Sequence, residues 1–166
     1  MSKSLNVFKQ PLTLHSTSPI TGYLRTGYCE VPASDFGNHA IAAEVTEEFL
    51  NFTARQGNDL RSIGGMKEGC KWCLCASRWL EAFEAAKSGR EKDGEKIVPK
   101  VWLRATNEKA LRVVRLEDLR GFARDGEGGG GINDDGNERS MPLCVMKSRA
   151  KKKGEWKILR EKKREM

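Results

Sequence analysis

The sequence predicts a small α+β domain: short strands mixed with two to four helices, behind a loop-rich N-terminal region. Three observations carry this. Strand-length apolar runs and helix-period stripes alternate without a regular strand–helix–strand repeat. Capping and stop residues bracket the helical stripes. Residues 11–37 are dense in Pro, Ser, Thr and Gly, with few apolar runs.

Along the chain, that loop-rich stretch has room for one short strand near Tyr23–Arg25. HAIAAEV (39–45) is an apolar run of strand length. In the segment TEEFLNFTARQG that follows, Thr46 suits an N-cap, Glu47 and Glu48 suit the positive helix end, and Gly57 suits the stop. Phe49, Leu50, Phe52 and Thr53 form the buried stripe of this helix. A turn-rich connection leads to KEGCKWCLCASRWLEAFEA (67–85), where Trp72, Ala76, Trp79 and Phe83 recur at helical spacing and predict a helix from Cys75 to Lys87. Beyond the charged loop 88–96, VPKVWLRAT reads as a strand and NEKAL as a short helix capped by Thr106. RVVRL reads as another strand and EDLRGFAR as a closing helix.

The domain is expected over 5–124. A Gly- and Asp-rich linker (125–146) and a basic tail (147–166) follow. The linker's glycines are not a phosphate loop, because no strand precedes them and the Lys-Ser/Thr pair is missing. Of the 30 Lys and Arg in the 166 residues, ten lie in the tail, against three of the 23 acids. That leaves 20 of each sign in residues 1–146. The formal charge of +7 therefore belongs to the tail, and a basic partner-binding surface on the body is not indicated. The tail itself fits weak nucleic-acid contact or nuclear import. The N-terminus shows no apolar leader, and no run nears the ~18 apolar residues of a membrane span, so a cytoplasmic protein without a membrane partner is expected. Five cysteines in a reducing compartment make disulfides a poor default.

The chemistry concentrates on Cys70, Cys73 and Cys75, and three readings stay open. Metal binding would join these thiols with Cys29, His15 or His39, but no second Cys-x-x-Cys pair supports it. Thiol catalysis would use Cys73 or Cys75 near a helix start, with His39 or Asp59 as base and Arg25 or Arg78 for an anionic substrate. Plain burial would make the cysteines small hydrophobes beside two indoles. Asp35 and Asn58, on loops beside His39 and Asp59, complete the residues from which a cleft for a small ligand would be built.

PLTLHSTSPITGYLRTGYC, FGNHAIAAEVTEEFLNFTARQGNDL, KWCLCASRWLEA and VWLRATNEKALRVVRLEDL resemble, in order over residues 5–123, the bacterial family known as domain of unknown function 2237. The resemblance implies a compact α+β domain and marks the chain beyond Asp125 as an addition. It implies no activity, cofactor or substrate. Against the pattern of that family the chain carries His15 and Ala42 where relatives often have Cys, and Cys70 where an acid is common. This speaks against a fixed four-cysteine metal site.

Overall fold

The computed structural model describes residues 4–63 and 65–125. Residues 147–166 and nearly all of the expected linker lie outside that range. Within it the chain is α+β, with three α-helices and one three-stranded antiparallel sheet. Strands β1 (Ile41–Glu44), β2 (Lys71–Leu74) and β3 (Lys100–Val101) are ordered β2-β1-β3. Helix α1 spans Glu47–Arg55, α2 spans Ala76–Lys87 and α3 spans Leu116–Arg120.

The caps of α1 follow the sequence closely. The Thr46 side chain accepts the Phe49 amide. At the other end the Asn58 amide reaches Thr53 O and the Gly57 amide reaches Ala54 O. This Schellman arrangement requires the positive φ of Gly57, +80°. The two faces of the sheet divide the core, as alternation along a strand demands. Ile41, Ala43, Trp72 and Leu74 join the main cluster with Phe49, Phe52 and Trp79 of the helices. Trp79 is fully buried, with its indole N–H bonded to Pro99 O. On the opposite side, Ala42 lies across from Cys73 in register, and a second small cluster of Cys29, Ala42, Cys73 and Ala105 forms against Trp102.

The N-terminal loop closes over that second cluster. A disulfide joins Cys29 to Cys73, where disulfides had been expected to be a poor default. Beside it, Thr21 Oγ1 accepts the Cys73 amide at 2.8 Å. β2 is an edge strand, and this bond occupies a donor that would otherwise be left open. His15 Nε2 lies 3.1 Å from Ala43 O, pinning the loop to β1 as well.

Three expected strands come out differently. Residues 23–25 form a turn, in which the Arg25 amide bonds Gly22 O. A Cβ on Gly22 would lie 2.1 Å from Tyr28 O, so only glycine fits this turn. VPKVWLRAT keeps only two strand residues. The chain then coils through Leu103–Ala105, where the Asp125 carboxylate accepts the Leu103 and Arg104 amides. Asp125 thus packs with the domain. RVVRL is a turn whose Val113 and Val114 amides both bond Ala110 O. Thr106 does not cap the next helical turn either. Asn107 does, while Thr106 Oγ1 bonds the Ala42 amide of β1.

Candidate functional site

Cys75 stands where β2 ends and α2 begins. It is the N-cap residue of α2, but its side chain makes no capping hydrogen bond. The sulfur is therefore available to the surroundings, and Cys75 is the free cysteine among the described residues. The segment leading into β1 is fastened to this junction. Asn38 adopts a left-handed φ of 48°, a conformation Asn tolerates better than most residues. Its carbonyl accepts the Ala76 amide at 3.0 Å, and its side-chain amide donates to Lys109 O. His39, the next residue, is thereby fixed against the first turn of α2.

Asp35 orients the imidazole. Its side chain is fully buried; Oδ2 accepts the His39 amide at 2.9 Å, and Oδ1 lies 2.7 Å from His39 Nδ1. The Cys75 side chain is the neighbour that does most to raise the His39 pKa, to about 9. Burial opposes it, and Asp35 adds to it. At neutral pH the imidazole is a cation between a carboxylate and a sulfur. Gly37 makes the placement possible, since a Cβ there would sit 2.5 Å from His39 Cε1. Tyr23 stacks on the ring from the loop side, with centroids 6.1 Å apart.

This constellation borders a cleft of about 370 Å³ running along β2. Gly22, Tyr23 and Arg25 form one part of its lining, Asn58, Leu60 and Ile63 another, and the β2–α2 junction with Arg78 the rest. The size suits a small molecule. Arg25 lies over the Trp72 ring at 4.7 Å, and Arg78 pairs with Glu81 at 2.9 Å.

The structure thus gathers Cys75, His39, Asp35, Asn58, Arg25 and Arg78 from distant parts of the chain. Two expected catalytic residues are engaged otherwise. Cys73 touches the cleft but has no free thiol, because its sulfur is bonded to Cys29. Asp59 is exposed, caps the turn after α1 and pairs with Arg61 at 2.8 Å, which holds its carboxyl below the usual range. Asp35, expected as a ligand contact, takes the position beside His39 instead. The metal reading also loses its ligands, since Cys29 and Cys73 bind each other. Among the described residues no group of three or more His, Cys, Asp or Glu side chains is placed to hold an ion. Cys70 is fully buried, its sulfur accepting the Lys67 amide. His15 is buried and lies outside the cleft lining; burial lowers its pKa to about 4. Sequence reasoning missed Asn38, Gly37 and Tyr23. The Asp-Phe-Gly-Asn-His run contained the signal, as a turn placing Asp and His four residues apart.

Fold and site together define a small α+β domain with a cysteine–histidine–aspartate cleft at a strand-to-helix junction. The chain belongs to the family described as uncharacterized protein conserved in bacteria, domain of unknown function 2237, whose model matches residues 5–123. No curated protein matches it. Among the described residues no helix is long and apolar enough to cross a membrane.

Proposed function

We propose that the cleft binds a small molecule and that Cys75 reacts with it as a thiolate, making the protein a thiol-dependent enzyme. The observation supporting this reading is the Asp35–His39 pair that shares a cleft of ligand size with the free cysteine Cys75. A thiolate is the reactive form of cysteine, and a neighbouring imidazolium favours it. Asp35 fixes the Nδ1–H tautomer and supports the positive ring. In the first step a sulfur lone pair forms the S–C bond to an electrophilic carbon. The leaving group departs with its bonding pair and takes a proton from the His39 imidazolium. Neutral His39 then accepts a proton from a water whose oxygen bonds the same carbon as the S–C bond breaks, its pair returning to sulfur as thiolate.

Competitive alkylation of the native protein with iodoacetamide, mapped by mass spectrometry, tests the reading. Cys75 is expected to be modified first, and the rate at neutral pH to fall at least about tenfold in H39Q and by less in D35N. Modification of Cys75 at the same rate in wild type and H39Q would leave the cleft as a binding site without thiol activation.

A further inference from the structure

Resting on the thiolate reading of Cys75, we infer that the substrate carries a carboxylate, and that Arg25 recognises it. Apart from the Cys75 thiolate of that reading, the charges lining the cleft are positive. Arg25, Arg78 and protonated His39 line it, and no Asp or Glu side chain is among its lining residues. Asp35 is engaged with His39 and Glu81 with Arg78. Cationic groups at a cleft attract anionic ligands.

Arg25 differs from a surface arginine that merely extends into solvent. Its backbone is held at φ +55°, a region side chains rarely adopt, in the turn that the adjacent disulfide anchors. Its guanidinium lies 4.7 Å over Trp72, and Nη1 donates to Ile20 O at 3.4 Å. The ring contact holds the guanidinium at the cleft, and among the described residues no carboxylate is in ion-pair distance of it. A planar fork with free edge donors matches a carboxylate in two parallel hydrogen bonds. The apolar wall of Leu60, Trp72 and Leu74 would take the carbon skeleton. The predicted substrate is therefore a small carboxylic acid with an electrophilic carbon and an apolar or flat body.

Iodoacetate and iodoacetamide differ in this one feature, a carboxylate in place of a neutral amide on the same alkylating group. Like charges make an unassisted thiolate slower with the anion. In the native full-length protein, Cys75 is expected to reverse that order. Iodoacetate should react at least about tenfold faster than iodoacetamide, the scale of one charge-assisted hydrogen bond, and its rate should saturate with concentration. R25M should abolish the preference, and R25K, which keeps charge without the planar fork, should retain part of it. The two reagents are compared on the same sample, so partial unfolding of a variant cancels in the ratio. Rapid iodoacetamide modification without a preference for iodoacetate would overturn the carboxylate assignment while leaving the thiolate reading intact. An undiminished preference in R25M would overturn the role of Arg25. Cys75 as slow with both reagents as an ordinary thiol would overturn the thiolate reading and this inference with it.

Discussion

Two histidines show how far one side-chain type is set by its surroundings. His39 meets a carboxylate and a sulfur and is held as a cation, with its pKa at about 9 against 6.5 when unfolded. Its contribution to stability is fully present below pH 6.5 and is lost as pH rises through about 9. His15 is buried against a backbone carbonyl and held neutral, with its pKa near 4. It acts in the opposite direction. Between pH 6.5 and about 4 the unfolded chain takes up a proton that the folded one refuses, and stability falls by about 3 kcal/mol. Urea unfolding at several pH values should show that loss in wild type and a shallower acid slope in H15Q. Parallel slopes would mean that His15 is not buried neutral. Gly37 offers a second test at this scale. G37A should displace the imidazole and slow Cys75 modification at neutral pH by about tenfold, with little change in circular dichroism. The candidates Asp35, His39 and Cys75 were legible as residue types. Their pairing was not, because Asp59 sits in an equally ordinary turn. Only the path of the chain decides which acid reaches the ring.

At the scale of elements, β1, α1 and α2 were legible because each carries a complete local signal: an apolar run, a cap with its stop, or a helical stripe. Residues 102–106 and 112–115 were not, although NEKAL does give a short helical turn at Glu108–Arg112. Past the two residues of β3 the amides go to Asp125, to single carbonyls of the chain around β1 and to local turns rather than to a continuing ladder, and Thr106 is drawn to β1 instead of capping the next turn. No window of apolar pattern records such partners. The Cys29–Cys73 bond was hidden for a related reason, since its partners are 44 residues apart and pairing them requires the fold. Closing a loop of that length stabilises a chain by about 4 kcal/mol in the entropic account, and measured effects run lower. A reductant should therefore lower the urea midpoint markedly. It should also raise hydrogen exchange in residues 20–29, the loop that carries Arg25 and Tyr23. An unchanged midpoint would show that Thr21 and His15 hold the loop without the disulfide.

The whole molecule separates charge from chemistry. The cleft lies on a body whose charges balance, and the net positive charge belongs to residues 147–166. Any binding of RNA or DNA should weaken steeply with salt and disappear when 147–166 are deleted, while Cys75 reactivity should survive that deletion. Retention of nucleic-acid binding by the truncated protein would assign it to the body. The central claim is that Cys75 reacts in the cleft with the help of His39, and its most direct test is the rate at which iodoacetamide modifies Cys75 at neutral pH in the native protein and in H39Q, with C75S as the blank. The account predicts a rate at least about tenfold lower in H39Q. Equal rates in the two proteins would contradict it.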